Sequence, residues 1–129
     1  MKGDISPHLA AGTLLFTGYD DHEIKLNHAK YHSGLSVHAG KVSAPWGPER
    51  FSELSLEDLA PFTHFAPEVL ILGTGRQTLF PSPEIMAFMA EQHIGFECMD
   101  SRAAARTYNI LVAEGRPVSI GLLLPDARK

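Results

Sequence analysis

The hydrophobic and polar positions change rhythm twice along the chain. From Thr13 to Trp46 they come in short β-type runs: Leu14-Leu15-Phe16, Glu23-Ile24-Lys25-Leu26, and a longer stretch from Tyr31 through Val42. Asp20-Asp21, Asn27-His28 and Ala39-Gly40 separate these runs as turn signals, so the pattern predicts an antiparallel meander. Ser55, followed three residues later by Asp58, reads as a capping box opening a short helix that ends near Pro61 to Thr63. Val69-Leu70-Ile71-Leu72 is then continuously apolar, as a strand covered on both faces must be, and it runs into Gly73-Thr74-Gly75.

The remainder alternates helix and strand. Ser82 as N-cap with Pro83 behind it opens a helix through His93, with Ile85, Phe88, Met89 and Gln92 on one face and Gly95 just past the end. Phe96 to Met99 is the next strand. Asp100 or Ser101 caps a second helix that reaches Glu114 and is closed by Gly115. Its inward face is expected to hold Ala103, Ala104, Thr107, Tyr108 and Leu111, leaving Arg102, Arg106, Asn109 and Ala113 outside. Val118 to Leu124 is the last strand. A β-α-β-α-β unit with right-handed crossovers requires a partly parallel sheet with helices against it. The fold class is therefore α/β, a mixed central sheet with an N-terminal antiparallel β-meander. Residues 1–12, polar and without periodicity, read as a flexible N-terminal arm before one domain over 13–129.

Composition narrows the setting. A chain of 129 residues with 44% apolar and 20% charged positions is long enough for one core without disulfides or a structural metal. Cys98 is the only cysteine, as expected in a reducing compartment. No run approaches the length of a membrane helix, and the N-terminus has neither a secretory nor a transit pattern, so the expected location is cytoplasmic. A net charge of −4 argues against a nucleic-acid partner.

Gly73-Thr74-Gly75 after a buried strand, with Asp100 ending the next strand, are placed like the phosphate turn and ribose carboxylate of a dinucleotide fold. The fingerprint is truncated: its third glycine would fall at Thr78, and the helix starts only at Pro83, too late to face a pyrophosphate. No cofactor is therefore expected. A polar group is expected at the same edge of the sheet, comprising Arg76, Gln77, Asp100, Ser101, Asn109, Glu114 and Arg116, with Arg106 displayed beside it. Glu114 opposes the helix dipole and is expected to pair with Arg116 or Arg76. His28 and His32 have metal-like spacing but lie in turn and strand, so no metal is expected. Cys98 in mid-strand reads as a small hydrophobe.

Two segments are specific together. Leu70-Ile71-Leu72-Gly73-Thr74-Gly75-Arg76-Gln77 and the helix from Met99-Asp100-Ser101 through Arg106-Thr107-Tyr108-Asn109 to Glu114-Gly115-Arg116 resemble the family of mitochondrial respiratory complex I assembly factor 3. That family also holds the adipogenesis-associated Mth-type domain protein and many bacterial members. Leu54 to Pro61 resembles its helix before the central strand, and the likeness runs from about Leu14 to Leu124. It implies a three-layer α/β fold on a mixed sheet, a bacterial member, and action by binding proteins, with no catalytic residues to carry across. The expectation is a noncatalytic binding module, able to form a homo-oligomer, that meets a protein partner at the edge formed by Gly73–Gln77 and Asp100–Arg116. The alternative is a small-molecule-binding protein or enzyme using the same crevice.

Overall fold

The computed structural model describes residues 13–129; the expected arm at 1–12 lies outside them. The first three strands, β1 (Phe16–Asp20), β2 (Glu23–Leu26) and β3 (Ala29–Tyr31), form a small antiparallel sheet of their own. Its tight connections need unusual backbone: Asn27 takes φ 53°, a left-handed conformation that asparagine tolerates better than most residues. Asn27 also closes the loop onto itself. Its Oδ1 accepts from the Leu15 N–H at 2.9 Å, and its Nδ2 donates to the Thr13 carbonyl at 3.1 Å.

The second half of the expected meander belongs elsewhere. β4 (Leu35–His38) and β5 (Lys41–Ser43) make a hairpin that joins the central sheet, where β4 runs antiparallel to β8 (Val118–Leu122). The central sheet has the order β5-β4-β8-β6-β7, with β6 (Val69–Gly73) parallel to both β8 and β7 (Gly95–Met99). This mixed sheet with a β-α-β-α-β unit is the expected α/β class.

Every residue of β8 is buried and β6 is nearly so, which is why both read as apolar runs rather than alternations. The pleat divides β6 between two cores. Ile71 packs with Val118, Ile120, Ala104, Ala105 and Tyr108 under α3 (Ser101–Ala113). Leu70 faces the other way, onto Leu59 and Phe62 of α1 (Leu56–Thr63) and Ile85 and Met89 of α2 (Pro83–Glu91). The layers are thus α1 and α2, the central sheet, then α3 with the small sheet beside it, where Ile24 and Leu26 share a core with Leu35 and Val37 of the central sheet.

The helix caps are those the sequence implies. Asp58 Oδ2 accepts from the Ser55 N–H at 2.9 Å, completing a capping box, and Ser82 Oγ accepts from Ile85 N–H with Pro83 in the first turn. α2 ends sooner than expected: Gln92 is its cap and His93, at φ 57°, takes the left-handed position usually given to glycine. α3 ends in a Schellman turn, with Gly115 N–H donating to Val112 O and Arg116 N–H to Leu111 O.

One expected face is corrected. Arg102 and Asn109 are half-buried against the small sheet, and Arg106, though exposed to solvent, also reaches it. Asn109 donates to the Phe16 carbonyl at 2.8 Å and accepts from its N–H at 2.9 Å, completing both backbone groups of a residue whose ring packs edge-on against Tyr108. Arg106 donates to Tyr19 Oη at 2.9 Å and Arg102 to Asp21 Oδ1 at 2.7 Å. Positions 102, 106 and 109 share a helix face, so a stripe that periodicity assigns to water serves as the polar seam to a second sheet. Foremost among its causes, the Arg102 hydrogen bond holds the Asp21 carboxyl below its ordinary range, and the charge of Arg76 adds to the effect.

Candidate functional site

The parallel strands β6 and β7 end side by side, and the chain leaving β6 turns sharply at the carboxyl edge of the sheet. Gly73 is the last strand residue because α3 crosses close above it. A Cβ there would meet Leu122 Cδ1 at 2.4 Å, Ser101 Oγ at 3.1 Å and the Ala104 methyl at 3.2 Å. Gly75 has the second requirement, φ +97°, and a Cβ would lie 2.6 Å from the Ala127 carbonyl oxygen.

Between the two glycines, Thr74 is fully buried and its hydroxyl is committed to the turn. Oγ1 donates toward the carbonyls of Gln77 and Met99 and accepts from the Leu79 N–H at 3.1 Å. Ser101, also buried, does the same from the helix side. Its Oγ accepts from the Gly75 N–H at 2.8 Å, and its own N–H donates to the Gly75 carbonyl at 2.9 Å. Asp100 is the α3 N-cap, Oδ1 accepting from Ala103 N–H at 2.9 Å, and its backbone N–H donates to Thr78 Oγ1. The hydroxyls of Thr74 and Ser101 therefore hold backbone, as does the Asp100 carboxylate, and fix the shape of the turn.

The turn displays Arg76, Gln77 and Thr78, all exposed. Phe80 follows with 68% of its surface open, the most exposed of the large apolar side chains among the described residues. Beside the turn, Arg76, Gln77 and Leu79 line a crevice of about 380 Å3 with Ala127, Arg128 and Lys129 from the end of the chain. A second crevice of about 580 Å3 shares Ala127 and Arg128 and is walled by Arg50, Glu49 and Asp126. Neither Phe80 nor the cations at 50, 128 and 129 stood out in the sequence. Phe80 could have, as a lone aromatic between a turn and Pro81, but nothing local links Arg50 to Arg128.

The expected gathering at one edge is only half formed. Gly73, Thr74, Gly75, Arg76, Gln77, Asp100 and Ser101 meet there. Glu114 and Arg116 do not, because α3 runs back across the sheet for 13 residues, about 20 Å, to the opposite edge. Arg116 there pairs with Glu68, its Nε donating to Oε1 at 2.7 Å. Glu114 is exposed and forms no ion pair among the described residues, so the expected Arg76–Glu114–Arg116 network is absent. Asn109 and Arg106 lie between the edges, bonded to the small sheet.

The remaining reactive side chains are placed as packing elements. Cys98 on β7 joins the cluster of Phe51, Leu72 and Leu123, and burial, aided by Glu97, pushes its thiol up to about 12. His32 meets Glu23 at 3.2 Å rather than His28. Among the described residues no three His, Cys, Asp or Glu side chains are gathered as a metal site, and no helix is long and apolar enough to cross a membrane.

Fold and site together define an α/β domain with a rigid, internally satisfied turn at the carboxyl edge of its parallel strands. Residues 16–123 match the family described as a protein of unknown function (DUF498/DUF598), and the chain belongs to that family. It is 32% identical over 117 residues to the NADH dehydrogenase [ubiquinone] 1 alpha subcomplex assembly factor 3 of Drosophila melanogaster, covering 87% of this chain and 59% of that protein. It spans, that is, little more than half the length of that relative. An uncharacterized protein of Rhodobacter capsulatus is 30% identical over 120 residues, covering 91% of this chain and 90% of its own length. The solution structure of a Mth938-like domain from Bordetella pertussis superposes with a TM-score of 0.80 at 29% identity, covering 97% of this chain and 94% of that one.

Proposed function

We propose that the chain is a noncatalytic binding module that docks a protein partner at the carboxyl edge of its central sheet and assists assembly of a larger complex. The observation that carries this reading is the division of labour in the turn. Thr74, Asp100 and Ser101, the side chains best suited to chemistry, are bonded to backbone, while Arg76, Gln77 and Phe80 are presented outward on a fixed frame. An aromatic and guanidinium display on a fixed backbone is what protein interfaces select, because little backbone freedom remains to be lost on docking. The relatives named as assembly factors of NADH dehydrogenase support the same kind of role. In this reading Gly73, Thr74, Gly75, Asp100 and Ser101 build the surface and Arg76, Gln77 and Phe80 touch the partner. Arg106, Asn109, Glu114 and Arg116 stay outside it. A cytoplasmic setting suits the half-buried, protonated thiol of Cys98.

The test is capture of partners on the native chain and on two variants. Phe80→Ala is expected to lose a captured protein that Ile110→Ser, an exposed apolar position on α3, retains. Equal loss or equal retention in both variants would refute the proposed surface.

A further inference from the structure

The carboxyl edge carries a charge arrangement that the fold itself does not require. Arg50 and Arg128 face each other across an isolated parallel bridge, where the Phe51 N–H donates to the Arg128 carbonyl at 2.7 Å. Like charges directly opposite each other across paired strands destabilise the pairing. The Arg76 N–H meets the carbonyl of Ala127, the residue next to Arg128, which brings a third guanidinium to the same place. Lys129 adds a fourth cation at the wall of the smaller crevice.

These cations come from three separate stretches of a chain whose net charge is −4. All four are exposed, and none forms an ion pair among the described residues. The nearby acids are fewer and partly engaged. Asp126 meets His22 at 2.8 Å, Asp21 meets Arg102 at 2.7 Å and also feels the charge of Arg76, and Glu49 lines the larger crevice with Arg50 and Arg128. Of the three arginines elsewhere on the protein, Arg102 and Arg116 pair with carboxylates and Arg106 bonds the Tyr19 hydroxyl.

We infer that Arg50, Arg76 and Arg128, with Phe80 following the turn that carries Arg76, form a docking surface for an acidic segment of a partner protein, its carboxylates taking the guanidiniums and its apolar side chains meeting Leu79 and Phe80. The inference rests on the binding-module reading and states the partner's chemistry. Charge complementarity carries it. Guanidiniums pair carboxylates in a two-pronged geometry that a lysine cannot offer, and such contacts are among the stronger hydrogen bonds available. The surroundings favour a chain segment over a free small anion. The guanidiniums stand open to solvent instead of enclosing a cavity, and Arg76 and Arg128 share their crevice with apolar Leu79 and Ala127, the mixture found at protein interfaces.

The probe is a short fluorescein-labelled peptide alternating glutamate with leucine, titrated by anisotropy and by amide chemical-shift mapping. Binding is expected to move the amides of residues 50, 76–80 and 127–129, to weaken as salt rises, and to fall about tenfold in the Arg76→Gln/Arg128→Gln double variant. Because the substitutions relieve repulsion, the double variant should melt at or above the native temperature. The inference is overturned by undiminished peptide binding in the double variant, by shifts away from this edge, or by no binding to the native chain. Inorganic phosphate, or an oligothymidine strand, moving the same amides more strongly than the peptide would also overturn it, by assigning the edge to phosphate. Should Phe80→Ala lose a captured partner that the double arginine variant keeps, the binding-module reading stands and the acidic-segment inference falls.

Discussion

The two ends of the parallel strands are built from the same kinds of residue and behave differently. At the amino end, the exposed arginine is compensated locally, although Glu114 stays without an ion pair among the described residues. Arg116 is held by Glu68, and His38 on β4 is bonded to Ser119 on β8 and stacked on Phe65 with ring centroids 4.0 Å apart. At the carboxyl end, the buried polar groups satisfy one another through backbone, while the cations above them are left open. A surface whose charges are already answered has little to offer a partner. One whose frame is satisfied and whose outer charges are not can bind without first breaking anything, which supports the proposal of the carboxyl edge as the docking surface.

Substitutions should separate the two ends by magnitude. Gly75→Ala should have the largest effect, because it combines a left-handed backbone with a methyl pressed against the Ala127 carbonyl. We expect a loss of about 3 kcal/mol or more in urea unfolding, from strain and overpacking together. A loss below about 1 kcal/mol would mean that the turn has room to relax. Ser101→Ala should come next, at about 1–3 kcal/mol, since it strands the buried Gly75 N–H without an acceptor. Ser101→Thr retains the hydroxyl and serves as its control.

At the amino end the effects should be small. Arg116→Gln removes a surface ion pair and should cost no more than about 1 kcal/mol. Glu114→Gln should stay within about 0.5 kcal/mol and lean towards a gain, because the exposed carboxylate opposes the helix dipole. A larger loss there would point to a partner for Glu114 that the described residues do not supply.

The smallest expected effect is in pH. Burial, with the nearby Lys41 charge, lowers the His38 pKa from its ordinary value of 6.5. A histidine depressed in the folded state favours its neutral form, so this contribution is complete above about pH 6.5 and declines as the pH falls below it, where only the unfolded chain takes up the proton. An NMR titration should place the His38 ring transition below 6.5. A transition above that value would mean that the Ser119 contact favours the charged ring.

Much of this was legible in the sequence wherever the signal was local. The apolar run of β6, the capping box at Ser55, the Ser82-Pro83 start and the Asp100 and Gly115 caps each specify structure within a few residues. Long-range pairing was not legible. Nothing around Ser36 or His38 announces that β4 will lie against Gly121 and Ser119, so the meander could not be divided from sequence. The outer face of α3 misled for a related reason. A helical wheel separates apolar from polar positions, but it cannot distinguish a polar face meeting water from one meeting the backbone of Phe16, as Asn109 does. The candidate site divided in the same way. Gly73 to Gln77, Asp100 and Ser101 come together because they terminate adjacent strands. Glu114 and Arg116 were assigned to that edge by their charges, and the length of α3 carries them away from it.

The central claim is that the carboxyl edge separates frame from display, and measuring stability and partner capture in parallel on two variants tests it most directly. Ser101→Ala should unfold more easily yet retain its partner at temperatures where it is folded. Phe80→Ala combined with Arg76→Gln should keep native stability to within about 0.5 kcal/mol and lose the partner. The reverse pattern, a folded Ser101→Ala variant without its partner beside a fully binding Phe80→Ala/Arg76→Gln variant, would contradict the account and place function in the buried turn itself.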